Sequence, residues 1–266
     1  MELLLPILAF GFFLGMRHAT DADHVVAVST IVSRQRHLGA SALVGILWGA
    51  GHSVTVTIVG GAVILFGIVI PPRVGLSMEF AVGVMLMLLG VLNLSGLTRW
   101  ITEYLTPGGG STLHTHGHTH GGESHEHVHA HAPDPSEELS APPRGLLAGW
   151  LSGLGLYQAI RPLVVGLVHG LAGSAAVALL LLTTIRDPLA AFLYLGIFHL
   201  GVIGGMMLIT AAIGVPFVLT SGRFQGFNRV LGVASGVLSL AIGLFVIYDV
   251  TFQGGLFSDA PHWEPE

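Results

Sequence analysis

The sequence predicts an all-α polytopic membrane protein with about six transmembrane helices. Three observations carry that expectation: 52% of the 266 residues are hydrophobic, only 9% are charged, and mean hydropathy is +0.77. Apolar runs near or beyond the roughly 20 residues needed to cross a hydrocarbon layer recur along the chain. A soluble domain carries about 25% charged residues, so a water-solvated globule is excluded.

The first run, Leu3 to Ile31, would extend about 44 Å as one helix, so it must tilt, break or project beyond the bilayer core. Lacking a basic region and running straight into charged residues, it reads as mature helix rather than a cleaved leader. Further runs follow at Ala40–Ile70, Met78–Leu97, Leu146–Ile185, Leu189–Leu219 and Val230–Val250. The run from Leu146 is long enough to hold a short re-entrant piece before Arg161-Pro162, which leaves six or seven segments. Arg34, Arg36, Arg99, Arg144, Arg223 and Arg229 fall on one side of six spans, Arg73 and Arg186 on the other. The positive-inside rule makes the first side cytoplasmic, with both termini outside a cell (inner) membrane. The expected organisation is a first membrane half at 1–97, a linker at 98–143, a second membrane half at 144–251 and a polar tail at 252–266.

The linker is cytosolic in this topology and rich in histidine: His114, His116, His118, His120, His125, His127, His129 and His131. Its polar, Pro/Gly-rich composition buries too little apolar surface to offset chain entropy, so disorder is expected, with weak auxiliary metal binding by the imidazoles. The two halves also look alike. His24 and His52 lie in spans one and two, and His169 and His199 in spans four and five. Three spans per half forces opposite orientations, the layout of inverted repeats around a midplane site.

Absent residue types narrow the chemistry. With no cysteine there is no thiolate cage, Fe–S cluster or cysteine nucleophile, and metal ligation falls to His, Asp, Glu, Met and backbone. With no lysine there is no Schiff base and no phosphate-loop lysine, so the chain is not by itself a standard ATP-driven pump. The net charge of −5 lies mostly outside the spans and points to no nucleic-acid partner.

The centre of the first run is the exception to its apolar character: Arg17-His18-Ala19-Thr20-Asp21-Ala22-Asp23-His24. Arg17, Asp21 and Asp23 unpaired would together oppose insertion by roughly 8–10 kcal/mol, so they must be paired or hydrated. On a regular helix Arg17 and Asp21 stand at i,i+4 and Asp21 and His24 at i,i+3, with His18 beside the stripe. Asp23 falls off it. Either the helix unwinds so that both carboxylates reach one site, or Asp23 meets Arg161 across the bundle or orients a ligating histidine. These are the donors of a divalent-cation site for nickel, cobalt or zinc; an ion-pair cluster that only fixes packing would not need the histidines.

His18 with Asp23-His24, a His-x-x-x-x-Asp-His pattern, resembles the hallmark of the nickel/cobalt transporter family, and Gly51-His52-Ser53 resembles its next motif. The resemblance covers the first two spans tightly and the rest by layout. It implies permeation of Ni²⁺ or Co²⁺ as cargo, with no resident cofactor, and carries over His18, Asp21, Asp23, His24 and His52 as selectivity and transport positions. The family's uptake carriers have eight spans and acidic motifs in their second halves, whereas here that half offers His169 and His199. Asp-Ala-Asp-His resembles the uptake branch; six spans with a His-rich loop resemble the efflux branch.

The expected function is therefore a secondary permease, taken as uptake, with efflux as the alternative. His169 and His199 are additional pathway candidates, and Arg17 and Arg161 are charge partners. A non-enzyme is expected: metalloprotease chemistry wants His-Glu-x-x-His and di-iron sites want bundle glutamates, and no glutamate lies deep in a span except Glu79 near an end. An intramembrane metalloenzyme and an accessory protein that delivers metal without moving it are the rival classes. Asn93 and Ser95 are expected to bond between helices.

Overall fold

The computed structural model describes residues 4–33, 35, 37–68, 70–97, 114–120, 123–129, 156–170, 184–185, 187–220 and 225–263. His131, Arg34, Arg36, Arg99, Arg144, Arg186, Arg223 and much of the Leu146–Ile185 run lie outside them. The described helices are α1 (Leu4–His18), α2 (Ala22–Val32), α3 (Leu38–Phe66), α4 (Pro72–Ser95), α5 (Leu156–His169), α6 (Pro188–Thr220) and α7 (Gln225–Tyr248). A π-helical turn, Asp249–Gln253, extends α7. The polytopic all-α expectation matches this architecture, with α3, α4, α6 and α7 each long and apolar enough to cross a membrane.

Chain contacts divide the molecule into Met1–Leu97 with Ile160–Glu266, and Thr98–Ala159. In the second unit, β1 (His114–His120) and β2 (Glu123–His129) pair antiparallel, from His114 opposite His129 to His120 opposite Glu123. Within the linker expected at 98–143, only these two stretches are described; the rest lies outside the described residues. Histidine at every second position, throughout β1 and from His125 to His129 in β2, has the period of a strand, which composition alone does not reveal.

The first run is not one helix. α1 stops at His18, the Thr20 and Asp21 amides bond back to Arg17 and His18 in three-residue turns, and Asp21 takes extended backbone angles as the N-cap of α2. The cause is local. Thr20 Oγ1 donates to the Arg17 carbonyl at 2.6 Å, competing with helix continuation, and Asp favours the cap over the interior. The regular stripe linking Arg17, Asp21 and His24 therefore does not form.

Glycine contacts fix how the helices run. Gly11 meets Tyr194, Gly15 meets Phe198 and Val202, and Gly205 meets Ala19, so α1 and α6 run the same way. Gly51 meets Leu163, Gly166 meets Trp48 and Gly170 meets Thr55, so α3 and α5 also run together. Gly45 against Met206 and Gly49 against Ile203 set α3 antiparallel to α6; Gly83 against Gly243 and Gly90 against Gly236 do the same for α4 and α7. Small residues let backbones approach closely where lipid supplies no hydrophobic drive between helices.

These contacts are pairwise equivalent. A Cβ on Gly15 would strike the Phe198 carbonyl and one on Gly201 the Phe12 carbonyl; likewise Gly166 strikes that of Trp48, and Gly51 that of Leu163. Phe12, Gly15 and His18 thus correspond to Leu163, Gly166 and His169, and Trp48, Gly51 and His52 to Phe198, Gly201 and Val202. The halves do repeat in opposite directions, but in a different register from the one read by matching histidines. His169 answers to His18, not His24, and His52 answers to Val202, not His199.

Asn93 Nδ2 donates to the Gly232 carbonyl at 2.9 Å, joining α4 to α7 as expected. Ser95 instead accepts from the Leu97 amide and caps its own helix. The polar tail folds back on α4: Trp263 covers Gly75 and donates to Glu79 at 2.9 Å, and Arg73 donates to the Ser258 carbonyl at 3.0 Å.

Candidate metal centre

The break between α1 and α2 positions the site. Ending α1 at His18 leaves that buried imidazole at the break, and restarting the chain at Asp21 brings half-buried Asp23 and buried His24 beside it, the rings of His18 and His24 4.7 Å apart. α3 brings His52 and α5 brings His169, its last residue, to the same place. All four imidazoles are buried: His18 is 4% exposed, His24 1%, and His52 and His169 0%.

His18 Nε2 lies 3.1 Å from His52 Nε2, and His18 Nδ1 lies 3.0 Å from Asp21 Oδ2. His24 Nδ1 lies 3.1 Å from Asp23 Oδ1, and the other oxygen of that carboxylate is 2.8 Å from His169 Nε2. The rings of His18 and His24 are 4.7 Å apart, and those of His24 and His169 4.2 Å. Two groups result in which every member offers a ligand atom within 4.8 Å of the others: His18, His24 and His52; and Asp23, His24 and His169. His24 belongs to both. Two donors each about 2.1 Å from one ion, at angles of 90° to 109°, stand about 3.0–3.4 Å apart, so the His18–His52 spacing suits two ligands of one ion.

Among the described residues, His24 Nε2, His52 Nδ1 and His169 Nδ1 are buried without a hydrogen-bond partner. A packing histidine in hydrocarbon would satisfy such an atom with a backbone carbonyl, because leaving it bare costs about 1–3 kcal/mol. Of these three nitrogens, His24 Nε2 belongs to a ring packed against those of His18 and His52, whereas His52 and His169 turn Nε2 toward His18 and Asp23 and carry the bare Nδ1 on another ring edge; His199 Nε2, outside the cluster, is bare as well.

The residues singled out from sequence divide accordingly. His18, Asp23, His24 and His52 come together. His169 joins them, and Asp23 stands among histidines, one of the arrangements its position left open: its two oxygens lie 3.1 Å from His24 Nδ1 and 2.8 Å from His169 Nε2. Asp21 belongs to neither donor group; its carboxylate stands behind His18, where it would orient the ring. Arg17 is exposed on the last turn of α1, while Asp21 pairs with His18. His199 is only part-buried, its Nδ1 3.4 Å from Thr57 Oγ1 on α3, and it falls in neither group. The auxiliary histidines up to His129 lie on the two strands of the other unit.

Sequence reasoning missed Trp48. Fully buried, it stacks on His24 with ring centres 6.1 Å apart and meets His169 edge-on at 5.5 Å. Phe198, its counterpart in the other half, lies 5.9 Å from His18. The signal was present, since Trp48 precedes His52 by one helical turn and so shares its face. Together these rings pack against three of the four buried imidazoles.

No family model and no solved structure matches the chain. A curated relative does: the chain is 33% identical over 254 residues, 96% of each chain, to the urease accessory protein UreH of Bacillus sp. (strain TB-90). That relative is by name an accessory protein to an enzyme, not the enzyme. A likeness running through both membrane halves and the segment between them is a likeness of whole proteins, and the chain belongs to the family of the urease accessory protein UreH.

Proposed function

We propose that the chain is a secondary permease that carries Ni²⁺ across the membrane by way of the imidazole and carboxylate cluster at the α1–α2 break. The observation that carries the reading is a set of four buried imidazoles and the Asp23 carboxylate, in two groups whose ligand atoms lie within 4.8 Å of one another, gathered around a broken helix. Nitrogen-rich donors with a single carboxylate suit a borderline cation such as Ni²⁺ or Co²⁺ better than Ca²⁺ or Cu(I). Urease is a nickel enzyme, so membership of a urease accessory family favours nickel as the cargo and import as the direction. The resemblance of His18, Asp23 and His24 to the nickel/cobalt transporter motif supports the same assignment, with Co²⁺ as a second cargo.

Inverted halves and a discontinuous helix are the parts from which alternating access is built. In this reading the hydrated ion exchanges water for imidazole at midplane, Asp21 and Asp23 orient the rings, and Asp23 offsets part of the charge. Reconstitution into liposomes holding a Ni²⁺-responsive dye tests it. Accumulation that is slowed about tenfold or more in His18→Gln is expected. Metal binding without movement would instead favour a delivery protein, and neither binding nor movement would remove the assignment.

A further inference from the structure

Resting on that reading, we propose that His24 serves two successive ion positions through its two ring nitrogens, so that the ion is handed from a neutral all-imidazole position to a carboxylate-containing one. The first position is formed by His18, His24 and His52, the second by Asp23, His24 and His169.

The geometry separates the two. His24 Nδ1 stands on the Asp23 side, 3.1 Å from a carboxylate whose other oxygen is 2.8 Å from His169. Its Nε2 is buried without a hydrogen-bond partner among the described residues, and the His18 and His52 rings lie 4.7 and 5.5 Å from its own ring. One imidazole cannot point both nitrogens at the same ion, since they lie on different edges of a rigid ring. An ion held by Nε2 with His18 and His52 is therefore a different ion position from one held by Nδ1 with Asp23 and His169.

The second position also brings in a different part of the molecule. His18, His24 and His52 all come from the first half, whereas His169 comes from the second. Moving the ion from the first group to the second transfers it from one half of the inverted pair to the boundary between both. Because His24 is retained throughout, the ion is never released to hydrocarbon. The added negative charge of Asp23 gives the step its direction, and it must be overcome again for release.

The test uses the full-length chain with the linker histidines from His114 to His131 replaced by asparagine, so that only binding between the helices is read, in detergent with Co²⁺ as a spectroscopic probe, and in liposomes with Ni²⁺. Closing the first position with His18→Gln and His52→Gln should leave one Co²⁺ bound, with an absorption spectrum reporting two imidazoles and a carboxylate. Closing the second with Asp23→Asn and His169→Gln should leave one Co²⁺ bound to three imidazoles. Each pair should slow Ni²⁺ transport about tenfold or more, while affinity falls less. His24→Gln should abolish binding and transport together. Circular dichroism and gel filtration confirm that each variant is folded. If either pair of substitutions abolishes binding in a folded variant, or if His24→Gln still binds, the two-position scheme is overturned and a single shared site replaces it. If the unaltered chain neither binds nor moves Ni²⁺ or Co²⁺, the permease reading itself has failed.

Discussion

Gly204 and Gly205 are neighbours on α6 with opposite surroundings, and they give the packing argument its sharpest test. A Cβ on Gly204 meets nothing within 4 Å, whereas one on Gly205 would sit 2.7 Å from the Ala19 Cβ and 3.1 Å from the Met16 Cα and carbonyl. Carbon atoms pack best at about 3.5–4.0 Å, so Gly205→Ala must push α6 away from the α1 terminus by about 1 Å, and no flexible side chain can absorb the shift. Overpacking of that kind costs about 1–3 kcal/mol, while Gly204→Ala gains up to about 1 kcal/mol in helix propensity. A difference near 2 kcal/mol corresponds to about 4–8 °C in melting temperature for a chain of this size. Thermal unfolding in detergent, followed by size-exclusion of a fluorescent fusion, reads that difference directly. Ala19 follows His18, so Gly205→Ala should also slow Ni²⁺ uptake and Gly204→Ala should not. Equal melting temperatures for the two variants would refute the glycine-mediated contact between α1 and α6.

Three further outcomes are expected. Transport should fall as the medium is acidified, because protons compete with the metal for the imidazole lone pairs, and initial rates that stay unchanged down to the pH at which the folded chain is lost would contradict imidazole ligation. Ni²⁺ should quench the fluorescence of Trp48, which packs on two of the donors; Trp48→Phe should remove most of the metal-dependent quenching, and unchanged quenching would place the ion elsewhere. Deleting Thr112 to Pro133 should change capacity or regulation while leaving basal uptake, and complete loss of uptake would make the His-rich segment part of the pathway.

The class of fold and the heart of the site were legible in the sequence for one physical reason: hydrocarbon penalises charge so heavily that a cluster such as Asp21, Asp23 and His24 in an apolar run has few explanations. The break at Thr20 was legible only as an alternative, because the sequence supplies the competing hydroxyl and the capping aspartate without saying that they win. Asp23 illustrates the consequence. On a continuous helix it points away from His18; after the break it reaches His24 and His169 together. The sequence leaves Asp23 open to Arg161 or to a ligating histidine, because an arginine and an imidazole both answer a buried carboxylate; the structure puts two histidines, His24 and His169, at its oxygens. Trp48 was overlooked because aromatic residues in spans are usually packing residues, and only its contacts with His24 and His169 set it apart.

The register of the internal repeat explains why the site is lopsided. Matching histidine to histidine suggests two equivalent sites, one per half. The backbone contacts instead align His169 with His18, so the positions in the second half that correspond in sequence to Asp21, Asp23 and His24 are Ala172, Ser174 and Ala175. The packing part of the repeat, a glycine three residues before a histidine and lodged against a carbonyl of the neighbouring span, is kept in both halves. The donor part, Asp21, Asp23 and His24, is kept in one. Two complete copies would place four carboxylates and two more imidazoles together, each with its own cost of burial. On the proposed permease reading, a framework with approximate symmetry is what rocking between two faces requires, and donors drawn mainly from one half leave the ion few enough ligands to be released.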